Sequence, residues 1–121
     1  MCACVYFNNW YKNNWSPIFV KANSDYGMYG MQLLNFPDNK LLEVHLNDYY
    51  VNCNDTFNLN QWYFILFTWD GDSAKYYVNG ELIEQKTLTG TITADNEPLI
   101  IGQDLPVINE YLKGKLDEIR I

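Results

Sequence analysis

Cationic residues are scarce in this chain: eight Lys and Arg stand against fifteen Asp and Glu in 121 residues, for a formal charge of −7 and a single His. Nucleic-acid binding rests on clustered Lys and Arg, so the deficit argues against a nucleic-acid partner. Long apolar runs are missing too, and none approaches the roughly 20 residues that a membrane-spanning helix needs. The first residues lack the basic region, apolar stretch and cleavage site of a secretory signal. Cysteine is limited to Cys2, Cys4 and Cys53, an odd set that cannot close fully into intrachain disulfides. Cys2 and Cys4 lie two apart, which puts both on one face of a strand and out of line for bonding each other. Either could reach Cys53 on a neighbouring strand; the plainer expectation is three small hydrophobes buried as free thiols. One histidine and three thiols without zinc-ligand spacing argue against a zinc centre. No stretch reads as a helix.

What the chain has instead is aromatic and β-branched sequence, with 48 % hydrophobic and 17 % aromatic residues, which excludes a disordered chain. The clearest stretch is Gln61 to Gly80, QWYFILFTWDGDSAKYYVNG. Trp62 to Trp69 reads as a strand running into Asp70-Gly71, and Ala74 to Val78 as the return strand. Asn79-Gly80 then offers the two residues that tolerate positive φ in a type I′ turn. Glu81 to Lys86 comes back as a third strand. Trp62 and Trp69, on the central strand, are expected in the core.

Around this meander, Cys2 to Phe7 reads as a first strand and Asn8 to Pro17 as an Asn- and aromatic-rich loop, with a strand resuming at Ile18 to Lys21. Tyr26 to Leu34 is a strand in which two glycines mark a bulge or a close backbone approach. Asn35 to Asn39 is a turn. Leu41 to Val51 alternates, with Leu42, Val44 and Leu46 on one face and Glu43 and His45 on the other. Asn52 to Asn60 reads as a polar loop, Thr91 to Ala94 and Leu99 to Gly102 as short strands, and Leu112 to Ile121 as a closing strand that alternates throughout. Turn residues every 8 to 12 positions or so fit a single all-β domain, a two-sheet antiparallel sandwich spanning residues 1–121.

Gln61-Trp62, Thr68-Trp69-Asp70-Gly71, Tyr77-Val78-Asn79-Gly80-Glu81-Leu82, Leu99-Ile100-Ile101-Gly102 and Gly114-Lys115-Leu116-Asp117-Glu118-Ile119-Arg120-Ile121 follow one another in an order that resembles the laminin G-like, concanavalin A-like lectin and glucanase superfamily. The resemblance covers roughly the last half of the chain and implies a jelly roll. Set against that pattern, the family's first strand before Cys2 and the residues after Ile121 are missing. The chain is therefore expected to be a fragment of a larger protein with an open sheet edge suited to self-association. The resemblance also implies a place outside the cell, or on a cell or virion surface.

The function expected from the resemblance is a non-catalytic carbohydrate-binding module. Sugars present apolar C–H faces and hydroxyls, which aromatic rings and side-chain amides hold, and Trp10, Tyr11, Asn14 and Trp15 in the Asn-rich loop fit that chemistry, with Tyr49 and Tyr50 as further candidates. The competing reading is that these aromatics only pack onto the sandwich. A protein-interaction, adhesion or structural module, with a glycoprotein or other protein as partner, is the alternative. Glycoside hydrolysis is not expected: Glu81 and Glu84 are out of phase, Asp95 and Glu97 lie in a turn, and adjacent Asp117 and Glu118 point to opposite faces. His45 has no partner by motif and reads as a solvated side chain. For cofactors, the resemblance implies a structural calcium with Asp117 among its ligands; one carboxylate falls short of six to eight oxygens, so pairing with Lys115 or Arg120 is the other reading. The Asp70-Gly71-Asp72 triplet fits a turn better than a calcium loop.

Overall fold

The computed structural model describes residues 1–9, 14–21, 28–36, 39–47, 49–55, 57–91, 96–103 and 110–121. Ten strands occur among them: β1 (Cys2–Phe7), β2 (Asn14–Lys21), β3 (Met28–Phe36), β4 (Asn39–Asn47), β5 (Tyr49–Asn54), β6 (Trp62–Trp69), β7 (Ser73–Val78), β8 (Glu81–Thr87), β9 (Leu99–Ile101) and β10 (Gly114–Arg120). They form two five-stranded antiparallel sheets, ordered β10-β1-β6-β7-β8 and β5-β4-β3-β2-β9. The expected all-β sandwich is what the chain adopts.

Period-two alternation builds the core between the sheets. The first sheet turns in Val5, Phe7, Tyr63, Ile65, Phe67 and Tyr76, and the second turns in Phe19, Met31, Leu33, Leu42, Val44 and Leu46, all buried. The rings meet edge to face: Phe7 and Phe57 at 5.9 Å, Phe57 and Tyr63 at 5.1 Å, Phe67 and Tyr76 at 5.0 Å. Such pairs add specificity of orientation to the burial of apolar area.

The meander forms as its turn chemistry dictates. Asn79 (φ 52°) and Gly80 (φ 87°) occupy the left-handed region, and Asn79 Oδ1 accepts the Phe64 N–H at 2.9 Å. At the other turn Asp70 Oδ1 accepts the N–H groups of Asp72 (3.1 Å) and Ser73 (2.7 Å), which holds the Asp70 carboxyl below its ordinary range. That carboxylate serves the turn, as the triplet suggested.

Several sequence expectations are corrected by pairing. The strand expected from Ile18 starts at Asn14, because Trp15 and Ser16 already pair with Leu34 and Leu33. Strand β3 runs on to Phe36, which pairs with Asn39 where a five-residue turn was expected. Leu41 to Val51 is two strands, and the second reaches Asn54 because Leu41 to Leu46 pair with Tyr49 to Asn54. The phase of the closing strand also breaks: Glu118 has φ 50°, and Cys2↔Arg120 beside Cys4↔Asp117 sets three residues of β10 against two steps of β1. This bulge brings Leu116 and Ile119, three apart, both onto the core. Thr91 is outside any strand, and the rest of the short strand expected there, residues 92–94, lies outside the described residues. One glycine of β3 is a close approach as expected: a Cβ on Gly30 would stand 2.5 Å from the Phe19 carbonyl oxygen.

The three cysteines are free. Cys53 is buried in the second sheet, where burial and neighbouring Glu84 push its thiol up to about 12. Cys2 and Cys4 are half-buried on the outer face of the first sheet rather than in the core, because Ala3 and Val5 take the inward phase of β1. Trp62 is likewise not a core residue. The inward phase of β6 belongs to Tyr63, Ile65 and Phe67, and Trp62 is 46 % exposed. Trp69 does pack against the core, with its Nε1–H donating to the Leu88 carbonyl at 2.7 Å.

Candidate functional site

The outer face of the second sheet carries what an outer face ordinarily does not: buried polar side chains. Gln32 on β3 and Glu43 on β4 are 2 % and 4 % exposed and sit opposite each other in register. Gln32 Nε2 donates to Glu43 Oε1 at 3.2 Å, and His45 Nε2 contacts the same oxygen. The two nitrogens lie 3.1 Å apart. A carboxylate oxygen only accepts, so with the His45 proton on Nε2 two donors converge on one acceptor. The arrangement spends the Gln32 amide nitrogen on Glu43 and leaves Gln32 Oε1 buried without a partner.

Two aromatic rings flank this polar floor. Trp15, half-buried on β2, meets the His45 ring edge-on at a centroid distance of 6.4 Å, and exposed Tyr50 on β5 lies at 6.1 Å from it. Trp15 and Tyr50 are 35 positions apart in sequence, and the strand order β5-β4-β3-β2 brings both to one face with His45 between them. The result is an aromatic-walled site whose unmet group is a hydrogen-bond acceptor. An unsatisfied buried acceptor costs about 1–3 kcal/mol, a cost that an apolar residue at position 32 would avoid.

Of the residues expected to bind ligand, Trp15 and Tyr50 are thus brought together. Tyr49 is not: adjacent residues of a strand face opposite ways, and Tyr49 packs against Gly90, where an added Cβ would stand 3.0 Å from its Cε2. Asn14 opens β2 and pairs with Asn35. Trp10 and Tyr11 lie outside the described residues. The sequence reading missed Gln32, Glu43 and His45, and His45 is not the solvated side chain it expected. Alternation already placed Glu43 and His45 on one face; the missing signal was the β3–β4 register that sets Gln32 opposite Glu43.

Asp117 sits on β10 over the outer face of the first sheet, exposed, with its Oδ1 accepting the Glu118 N–H at 2.8 Å. Arg120 pairs with Glu118 at 2.7 Å rather than with Asp117. The described residues gather no group of three or more His, Cys, Asp or Glu able to hold a metal ion, at Asp117 or elsewhere. Around Asp117 stand a thiol, two aromatic rings and one amide, from Cys4, Trp62, Phe64 and Asn79, which does not fit an oxygen cage for calcium.

Two antiparallel five-stranded sheets packed on one core define an all-β sandwich. The chain belongs to the concanavalin A-like lectin/glucanases superfamily: a family model of laminin G type matches residues 1–121, the whole chain rather than its last half. No curated protein matches it. Laminin G-like domains are generally non-catalytic and often extracellular, although the superfamily also includes glycosidases. No helix among the described residues is long and apolar enough to cross a membrane.

Proposed function

We propose that the chain is a non-catalytic carbohydrate-binding module whose ligand lies on the outer face of the second sheet, against Trp15, Tyr50 and the Gln32–Glu43–His45 floor. The observation that carries this reading is the convergence of two distant aromatic residues on a buried polar group with an unmet acceptor. A sugar fits the accessible part of the site: its C–H faces stack on the Trp15 and Tyr50 rings, and its hydroxyls meet the partly exposed His45 ring between them. Glu43 at the floor disfavours anionic sugars, so uncharged saccharides are the expected class. The non-catalytic part of the reading rests on Glu43 being the one carboxyl among the described residues of β2 to β5, where glycoside cleavage uses a pair about 5–9 Å apart.

Calorimetric titration with neutral oligosaccharides tests the proposal. Tyr50→Ala and Trp15→Ala should each weaken binding roughly fivefold to tenfold, with Tyr50→Ala leaving thermal stability unchanged because the ring is exposed. Unchanged affinity in both variants would move the ligand off this face.

A further inference from the structure

The outer face of the first sheet holds a cavity, separate from the site on the second sheet. It has a volume of about 340 Å³ and is lined by Cys4, Trp62, Tyr63, Phe64, Asn79 and Asp117. Its walls follow from register. Tyr6 pairs with Trp62 and Cys4 with Phe64 across β1 and β6, while Lys115 and Asp117 of β10 stand beside Tyr6 and Cys4 in turn. Two successive positions of one row are therefore built alike except in size and charge.

At the first position the chain fills the row itself. The Tyr6 ring meets Trp62 at 5.4 Å, and Lys115 Nζ lies over the Tyr6 ring at 5.1 Å, within the range of cation–π attraction. At the second position the large ring is replaced by a cysteine and the lysine by an aspartate. The smaller side chain leaves the cavity, and the sign of the charge beside it is reversed. Trp62 and Phe64, 46 % and 38 % exposed, remain as aromatic walls, and Asp117 has no ion pair among the described residues.

We propose that this cavity is a binding slot for a basic side chain, lysine or arginine, presented by a protein partner. Aromatic faces and a carboxylate around one cavity are complementary to an ammonium or guanidinium group, and the internal Lys115–Tyr6 contact shows the same row holding a cation. Long-range charge acts in the same direction, because a chain of charge −7 attracts basic partners. The apolar stem of the incoming side chain packs on Trp62 and Phe64 while its head reaches Asp117.

The test is titration of the intact chain with a short arginine-containing peptide, followed by tryptophan fluorescence and calorimetry. A peptide carrying citrulline, which has the same shape without the charge, and tetramethylammonium chloride run alongside. Saturable binding of the arginine peptide is expected, weaker by about twofold to fivefold for Asp117→Asn, as for an exposed ion pair. It should be lost in Trp62→Ala and weakened by salt. Trp62 is half-exposed on an outer face, so its replacement leaves the fold intact, which the melting temperature verifies. Equal affinity for the citrulline peptide, or full affinity in Asp117→Asn, would overturn the proposal. Preference for tetramethylammonium over the peptide would overturn the protein-partner part. Binding of a neutral oligosaccharide here, removed by Trp62→Ala, would make the face a sugar site instead.

Discussion

Tyr76 shows how much one hydroxyl does at the sandwich edge. Its ring fills the core of the first sheet, and its O–H donates to the Val51 carbonyl of β5 in the second. Beside it, Lys86 Nζ pairs with Glu84 at 2.9 Å and donates to the Asn52 carbonyl, so side chains of β7 and β8 satisfy the backbone of an edge strand. Tyr76→Phe keeps the ring and strands the Val51 acceptor; a loss of about 1–3 kcal/mol is expected in urea unfolding. Burial also raises the Tyr76 hydroxyl, as it raises the Cys53 thiol from 9.0 to about 12. Both groups hold their protons more tightly folded than unfolded: the Cys53 contribution is intact below pH 9 and falls as pH rises from about 9 to 12, and that of Tyr76 starts to fall only above its ordinary value of 10.0. The urea midpoint should therefore drop across that window, and Cys53→Ala, though less stable at pH 7, should show a shallower drop. Asp70 has the opposite sign. Its carboxyl is lowered by two backbone N–H groups, so its contribution is present above about pH 4 and lost below it, and Asp70→Ala should flatten the acid limb of the same curve.

At the scale of elements, glycines divide by what surrounds them. Gly80 needs only its positive φ, since an added Cβ would meet nothing within 4 Å, and Gly80→Ala should cost about 1 kcal/mol. At Gly114 a Cβ would stand 2.0 Å from the Tyr6 carbonyl oxygen, which forces β10 away from β1. Gly114→Ala should cost more than twice as much as Gly80→Ala in the same denaturant assay, and equal losses would show that β10 yields easily. This difference also marks where the sequence could be read. The β6–β8 meander was legible because Asn79-Gly80 and the strand composition point the same way. The start of β2 was not, because Asn14 and Trp15 resemble the loop residues before them and only pairing with β3 makes them strand. Nor was the β10 bulge: nothing in GKLDEIRI announces that Glu118 takes positive φ, and strict alternation puts Leu116 and Ile119 on opposite faces. The site divides in the same way. Trp15 and Tyr50 were legible as aromatic residues suited to sugars, whereas the floor beneath them depends on a cross-strand register that local pattern does not carry.

For the whole molecule, the sandwich presents two unlike outer faces on either side of one core. The second sheet presents a polar histidine floor between rings; the first presents a carboxylate between rings. At Asp117 a thiol, an amide and aromatic rings make a poor cage for calcium, so millimolar calcium followed by EDTA is expected to leave the melting temperature where it was, since only an ion bound to the folded state raises it. The two faces also differ in what they should respond to, and the core between them keeps substitutions on one from altering the other. Trp15→Ala should reduce the thermal stabilisation given by a neutral oligosaccharide, as roughly fivefold to tenfold weaker binding requires, and preserve that given by an arginine peptide; Trp62→Ala should remove the arginine-peptide response and preserve the oligosaccharide one. The double variant should show both losses of response together while keeping the sum of the two single changes in stability. If either single substitution removes both responses, the ligands share one site, and the separation of the faces by chemistry fails.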